Sequence, residues 1–175
     1  MKTMVNAVRV VGAGALSALA TAFVAASIYV AVGYDIFSFT LWDWVPVGAL
    51  ACGCLAAIGL YVACILLNVR ANRLLLVLAV LIGAVAYVLT YRFQFWLLQD
   101  RLPADVGFLD YFRLIVTGEE VSLDVLRWSV ALGGIGELGY VFAALNFLAV
   151  SAGGWLAYSL IADRPWCERC GQFNR

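Results

Sequence analysis

Apolar residues are gathered into four long runs, and each run is long enough to cross a bilayer. A transmembrane helix needs about 20 predominantly apolar residues to cover a hydrocarbon core about 30 Å thick. The runs predict spans at residues 10–32, 45–69, 74–97 and 130–162, with a longer loop at 98–129 and a tail at 163–175. We therefore predict an all-α membrane protein, a bundle of four transmembrane helices in a single domain, 1–175.

The long loop contains a further apolar segment, from Val106 to Val116. This segment is mostly apolar but too short to span, and Thr117-Gly118 ends it. We predict a short interfacial or re-entrant helix in the outer loop between helices 3 and 4, lying against the bundle.

The first run admits a second interpretation. Ala20-Thr21-Ala22 is a small-x-small site after a basic start, as in a signal peptide. The apolar run continues well past this site, which favours a transmembrane span.

Small residues recur every fourth position in the first two spans. Such a stripe lets another helix approach closely, although in the first span it equally reflects a generally alanine-rich helix. The two stripes are Gly14, Ala18, Ala22 and Ala26, and Gly48, Cys52 and Ala56.

The fourth run is longer than one crossing requires. Either the helix begins near Leu138, or it is broken around Gly133 to Gly136 and begins with a half-helix. The first loop, from Gly33 to Trp44, is rich in aromatic residues and predicts an interfacial belt. Asp43 and Pro46 mark the start of the second helix, as a cap and a first-turn residue.

Composition agrees with a membrane protein and excludes several kinds of chemistry. The chain is 65% hydrophobic and 13% charged, against about 45–50% and about 25% in soluble domains. A formal net charge of +0 offers no case for nucleic-acid binding. The absence of histidine removes histidine acid–base catalysis, haem ligation through histidine and mixed His/Cys metal sites.

Basic residues predict the orientation. The positive-inside rule places short basic segments in the cytoplasm, so both termini of this multi-pass protein are predicted to be cytoplasmic and the acidic loops to face outward. The basic set is Lys2, Arg9, Arg70, Arg73, Arg164, Arg169 and Arg175; the outward acids are Asp35, Asp43, Asp100, Asp105, Asp110, Glu119, Glu120 and Asp124.

The tail carries the sharpest candidate for chemistry, Cys167-x-x-Cys170-Gly171. Two thiolates at this spacing, followed by glycine, are typical of a zinc-knuckle turn. Zinc requires four ligands, so the set would need Cys64 as a third ligand or Cys167 and Cys170 of a second chain. A redox dithiol and a tail without chemistry remain alternatives. Cys52, Cys54 and Cys64 are interpreted as small apolar fillers of the second span.

Three polar residues are candidates for an intramembrane site. Glu137 is the one acid inside an apolar span, and ionised carboxylates in hydrocarbon face the interior, pair or titrate. Arg92 lies near the outer end of the third span, at a depth similar to that of Glu137, so we predict that the two can pair. Asn146 and Ser151 are expected to bond to a neighbouring helix. A solvated interfacial Glu137 and a substrate, proton or ion site are the alternatives.

Several motifs resemble those of a loose group of small bacterial four-span membrane proteins to which no activity is assigned. They are Gly136-Glu137-Leu138-Gly139-Tyr140-Val141-Phe142-Ala143-Ala144-Leu145-Asn146-Phe147, Gly153-Gly154, Trp44-Val45-Pro46-Val47-Gly48-Ala49, Phe108-Leu109-Asp110-Tyr111 and the closing cysteine knuckle. The resemblance implies a bacterial inner (cytoplasmic) membrane location and no particular reaction.

The leading functional hypothesis is a non-enzymatic component of the membrane that acts through helix packing, as a homo-oligomer or an accessory subunit beside a partner. A membrane thiol/quinone oxidoreductase using Cys167 and Cys170 is an alternative, although the loops predicted outside contain no cysteine. A small transporter or channel component using Glu137 is another, with one intramembrane acid and no visible internal repeat to support it.

Overall fold

A computed structural model describes residues 2–40, 45–118, 136, 138–167, 170 and 172–173. Within them the chain is predominantly helical, and four helices are long and apolar enough to cross a membrane by length and composition. This confirms the all-α class and the four candidate spans. The elements are α1 (Lys2–Val32), α2 (Val47–Leu66), α3 (Arg73–Leu98), α4 (Phe108–Thr117), α5 (Leu138–Ala162), β1 (Trp166–Cys167) and β2 (Gln172–Phe173).

The helix ends differ from the apolar runs by a few residues, for local reasons. Helix α2 ends at Leu66 rather than at 69, because Asn68 turns the chain with a left-handed φ of 49°. Helix α3 then begins at Arg73, where the Asn72 side chain accepts a hydrogen bond from the Leu75 N–H at 2.9 Å. Pro46 occupies the N-cap of α2 without a side-chain cap bond; Asp43 lies outside the described residues.

The helices form a bundle in which α1 and α5 lie on opposite sides of the α2–α3 pair. Helices α2 and α3 are joined by a short turn, yet each packs more extensively on α1 and on α5 than on the other. Two buried clusters mark the ends of the bundle. The terminal end contains Val10, Leu60, Ala63, Cys64, Leu75 and Ile161, and the loop end contains Phe37, Ala49, Cys52, Tyr87, Tyr91 and Val150.

Backbone contact at glycine joins α5 to α2. A Cβ atom at Gly53 would overlap the carbonyl oxygen of Val150, and one at Gly153 would overlap the carbonyl oxygen of Leu50. The Cys54 thiol also donates a hydrogen bond to the Gly153 carbonyl at 3.3 Å. Lipid tails are as apolar as leucine, so helix association in a membrane depends on such close van der Waals contact.

Close backbone contact at glycine also joins α5 to α3. A Cβ at Gly154 would overlap the carbonyl oxygen of Ala79, and one at Gly83 would lie 2.6 Å from the carbonyl oxygen of Val150. Helix α5 is therefore seated in a groove whose two walls both require glycine.

The small-residue stripes predicted in the first two spans are buried. Ala18, Ala22 and Ala26 of α1 are at most 2% exposed, so the stripe is a packing surface and the first span belongs to the bundle. Gly48, Cys52 and Ala56 of α2 are also buried.

Helix α4 lies in the long loop. The Gly107 N–H donates to the Asp110 carboxylate at 3.2 Å at its start, and Gly118 ends it in the left-handed region, φ 60°, with its N–H on the Leu114 carbonyl. A Cβ at Gly139 would overlap the carbonyl oxygen of Val116, so the first turn of α5 contacts the last turn of α4. The interfacial or re-entrant placement of α4 stays a prediction.

The first loop departs from the predicted aromatic belt. Phe37 is 1% exposed and is inserted among the aromatic side chains of α3. The Gly48 N–H bonds to the Phe39 carbonyl at 3.0 Å, which turns the loop back over the start of α2. Tyr34 and Phe39 are exposed; Trp42 and Trp44 lie outside the described residues. Phe37 is therefore a core residue, because the loop folds inward.

We expect Gly53→Ala to destabilise the bundle, because its Cβ meets a main-chain oxygen that cannot rotate away. Overpacking of this kind costs about 1–3 kcal/mol. The measurement is the free energy of unfolding in mixed detergent micelles. Gly12→Ala in α1 is the matched control, since nothing lies within 4 Å of the position that its Cβ would occupy. Equal stability of the two variants would contradict the glycine groove.

Candidate functional site

The residues predicted to carry chemistry lie at opposite ends of the bundle. Cys167 and Cys170 follow α5 at the terminal end, whereas Arg92 lies near the last turns of α3, at the loop end. Glu137 lies outside the described residues, so its predicted pairing with Arg92 stays a prediction. The two candidate sites are therefore separate, and each has its own surroundings.

The cysteine pair is carried by a small hairpin. Strands β1 and β2 are antiparallel, with Trp166 opposite Phe173 and Cys167 opposite Gln172. The Cys170 N–H donates to the Cys167 sulfur at 3.4 Å. An N–H directed at the first sulfur is the feature expected of a knuckle turn, and it stabilises a thiolate at that position.

The hairpin is docked on the bundle. The Trp166 and Phe173 rings meet edge to face with centroids 4.9 Å apart, and the Phe173 N–H donates to the Asn68 side chain at 3.4 Å. Just before the hairpin, the Arg164 guanidinium donates to the Tyr61 hydroxyl at 2.7 Å. These contacts fix the pair against the turn between α2 and α3.

In the described part of one chain, the hairpin offers two sulfur ligands, Cys167 and Cys170. Among the described residues no group of three or more Cys, Asp or Glu side chains could hold a metal ion. Cys64, considered as a third ligand, is fully buried in the core cluster of the terminal end, whereas Cys170 is exposed. A four-ligand thiolate site would therefore need the hairpin of a second chain.

Hydrogen bonding within the pair affects its reactivity. The bond to the Cys167 side chain raises the pKa of the Cys170 thiol above its ordinary value. A raised thiol pKa lowers the thiolate fraction at neutral pH, and thiolate is the nucleophile in disulfide exchange. Within the pair, Cys170 is therefore the thiol that keeps its proton more tightly than an ordinary cysteine.

Arg92 is exposed on α3 and lies against two aromatic rings. Its guanidinium carbon is 5.4 Å from the ring centre of Phe95 and 5.2 Å from that of Phe108 on α4. Contacts at this distance are cation–π interactions. Arg92 has no ion pair with any other described residue.

Among the described residues, Asn146 and Ser151 of α5 do not make the predicted hydrogen bonds to a neighbouring helix. The Ser151 hydroxyl donates to the Phe147 carbonyl of its own helix at 2.8 Å, because a serine side chain in a helix reaches the carbonyl four residues back. Asn146 is half-buried and makes no side-chain hydrogen bond with another described residue. The bond from α3 to α5 comes instead from Tyr87, whose hydroxyl donates to the Ala143 carbonyl at 3.1 Å.

An aromatic cluster that the sequence did not reveal fills the loop end. Phe37 lies 5.1 Å from Tyr87 and 5.9 Å from Tyr91, ring centre to ring centre, and Tyr91 meets Phe112 of α4 at 5.2 Å. The sequence feature that could have indicated this cluster is the i, i+4 spacing of Tyr87 and Tyr91, which places both rings on one face of α3. Phe37, which completes the cluster, belongs to the first loop and lies far from both tyrosines in the sequence.

Asp35 lies beside this cluster. It caps a short 3-10 turn, Ile36–Ser38, by accepting the Phe37 N–H at 3.0 Å. Burial raises the pKa of the Asp35 carboxyl above its ordinary value, and the Phe37 hydrogen bond opposes the rise without cancelling it. The carboxylate positions Phe37 and is partly withdrawn from water in doing so.

A cavity of about 410 Å³ opens between α3, α4 and α5 beside the aromatic cluster. Ligand pockets commonly have volumes of about 300–1,000 Å³. Its walls are aromatic and aliphatic. They comprise Tyr87, Val88, Tyr91, Phe108, Leu109, Phe112, Tyr140, Ala143, Ala144 and Phe147.

The three cysteines of α2 pack as predicted. Cys52 and Cys64 are buried in the clusters at the two ends of the bundle, and Cys54 bonds to the Gly153 carbonyl. They act as small core residues of the helix, and Phe173 of the hairpin packs against the cluster that contains Cys64.

No protein-family model, no curated protein and no solved structure matches the chain. The predicted resemblance to small bacterial four-span membrane proteins is not tested by these comparisons. Function is therefore inferred from the geometry of the chain itself.

We expect Asp35→Asn to flatten the pH dependence of stability. A carboxyl with a raised folded-state pKa binds protons more tightly in the folded state, so folded-state stability falls as pH rises above its ordinary pKa of 3.8. Asparagine retains an oxygen for the Phe37 N–H and removes the charge. The measurement is the free energy of unfolding in detergent from about pH 4 to neutrality.

Asp105→Asn is the matched control, because it replaces an exposed carboxylate of the same bundle end. It should keep the slope of the unchanged protein. If Asp35→Asn also keeps that slope, the carboxylate is solvated rather than buried.

Proposed function

We propose that the protein is a non-enzymatic component of the bacterial cytoplasmic membrane that works as a homo-oligomer. In this proposal both termini are cytoplasmic, and two chains associate through their C-terminal hairpins. Four thiolates, Cys167 and Cys170 from each copy, would then bind one Zn²⁺ in the tetrahedral all-sulfur arrangement of structural zinc sites.

The observation that carries the proposal is the preformed turn of the hairpin. The Cys170 N–H points at the Cys167 sulfur, and the turn is docked on the bundle through Phe173 and Asn68. A preorganised pair reduces the conformational entropy lost when a metal binds. Exposure of Cys170 leaves the pair accessible to a second chain.

Helix packing supports an assembling role. Helix α5 is fixed by glycine contacts to both α2 and α3, and the Tyr111 hydroxyl of α4 donates to the buried Gln94 side chain of α3 at 3.4 Å. These contacts, with those of the hairpin to Asn68 and of Arg164 to Tyr61, support a bundle that presents its hairpin in a defined position to a second chain.

The oxidoreductase alternative has weaker support. A quinone in the apolar cavity would contact α5 no nearer the hairpin than Phe147, which is about 22 Å along the helix axis from Ala162. Thiol attack on a quinone needs contact between the two.

The transporter alternative rests on Glu137, which lies outside the described residues. In the described part of the spans, the hydrogen-bonded polar side chains have their partners inside the bundle. The Ser17 hydroxyl, for example, donates to the Leu55 carbonyl at 2.8 Å. We therefore keep the assembling role as the proposed function.

The orientation can be tested with reporter fusions. We expect alkaline phosphatase fused after Pro103 to be active, because that loop is proposed to face outward, and the same enzyme fused after Arg175 to be inactive. Fluorescence of a C-terminal green fluorescent protein should show the reverse. An active phosphatase at Arg175 would contradict the proposed topology.

The metal site can be tested by zinc content and oligomeric state together. Purified protein should contain about one Zn²⁺ per two chains, given four ligands per ion. Cys167→Ser should remove the metal and shift the detergent-solubilised protein from dimer to monomer, as measured by light scattering and metal analysis. Chelation of the unchanged protein should produce the same shift.

Cys54→Ser is the matched control. Serine can donate to the Gly153 carbonyl as the thiol does, and Cys54 lies on α2, apart from the hairpin. It should keep both metal and dimer. A dimer that persists without metal would support oligomerisation but contradict the thiolate site, and a monomer without metal would overturn both.

A further inference from the structure

A second ligand site lies at the loop end, where an apolar cavity and a cationic side chain share one wall. We propose that this end of the bundle binds one anionic phospholipid, with an acyl chain in the cavity between α3, α4 and α5 and the phosphate on Arg92. This site is independent of the hairpin and of the proposed zinc.

The cavity has the character required for an acyl chain. Its volume is about 410 Å³, and its lining side chains are aromatic or aliphatic. It opens sideways rather than into the core, because Val88 is 51% exposed and Leu109 is 77% exposed. Three helices enclose it, so a chain entering from the bilayer would exchange contact with other lipids for contact with fixed aromatic rings.

Arg92 lies at the edge of this cavity. It follows Val88 by four residues, so the two side chains lie on one face of α3. Its guanidinium contacts Phe108, which also lines the cavity. The chain site and the charge are therefore contiguous.

The other side of Arg92 is suited to a polar headgroup. A second cavity of about 300 Å³ is lined by Arg92, Phe93, Phe95, Trp96 and Gln99. Its guanidinium, indole N–H and amide are all hydrogen-bond donors. A guanidinium matches the geometry of phosphate oxygens, and Phe95 and Phe108 hold it in a restricted position.

The positive charge of Arg92 favours an anionic phospholipid over an uncharged apolar ligand. Arg92 has no ion pair with a described residue, so its charge is open to a ligand. A spanning helix of a second copy would fill the cavity, but α1, α2, α3 and α5 contain no Asp or Glu that could pair with the guanidinium. An anionic phospholipid does both: its acyl chain fills the cavity, and its phosphate neutralises the charge of Arg92.

The test uses the full-length protein in nanodiscs containing equal amounts of phosphatidylglycerol and phosphatidylcholine. After release into mild detergent, native mass spectrometry counts the retained lipids. We expect one retained phosphatidylglycerol in preference to phosphatidylcholine. Arg92→Gln should lower that preference about five-fold, the factor corresponding to about 1 kcal/mol per basic residue. Ala144→Phe, which fills the cavity, should reduce retention of both lipids.

Arg101→Gln is the matched control, since it removes a cation from the same end of the bundle without bordering either cavity. Its preference should equal that of the unchanged protein. An equal loss in Arg101→Gln would overturn the site in favour of general surface charge. Circular dichroism melts establish that each variant is folded.

Two further results would overturn the proposal. One is an unchanged phosphatidylglycerol preference in folded Arg92→Gln. The other is a preference that appears only in Glu137→Gln and not in the unchanged protein, because that result would assign Arg92 to an ion pair with Glu137.

Discussion

Close backbone contact at glycine is the constraint on which the rest of the structure depends. Helix α5 reaches the main chain of α2 at Gly53 and Gly153 and that of α3 at Gly83 and Gly154. In a bilayer, burial of apolar surface between helices gains little over contact with lipid, so packing at this distance must supply the association energy. Each of these positions excludes even a methyl group or leaves it tightly crowded.

The position of α5 determines what each end of the bundle can do. At the terminal end, α5 leads directly into the hairpin, whose Phe173 N–H donates to the Asn68 side chain. At the loop end, its first turns form one wall of the apolar cavity that α3 and α4 complete. One helix therefore connects two kinds of site, separated by roughly the length of a span, and no direct reaction can join them.

The two ends differ in their physical character. The hairpin offers a pair of soft sulfur ligands with a backbone N–H already directed at one of them. The loop end offers aromatic surface, a half-buried carboxylate at Asp35 and a guanidinium held between Phe95 and Phe108. The first supplies the ligands of the proposed zinc site, and the second the apolar surface and the charge of the proposed phospholipid site.

The sequence by itself determined the class, the four candidate spans, the buried stripe Ala18–Ala22–Ala26 and the spacing of the cysteine pair, because these follow from local periodicity. It did not reveal that the side chain of the loop residue Phe37 is buried in the core, or that Arg92 borders a cavity. Both depend on contacts between segments far apart in the chain: Phe37 with Tyr87, and Arg92 with Phe108. Only the tertiary structure decides such pairs, since apolar periodicity specifies which face of a helix is buried and not which helix lies against it.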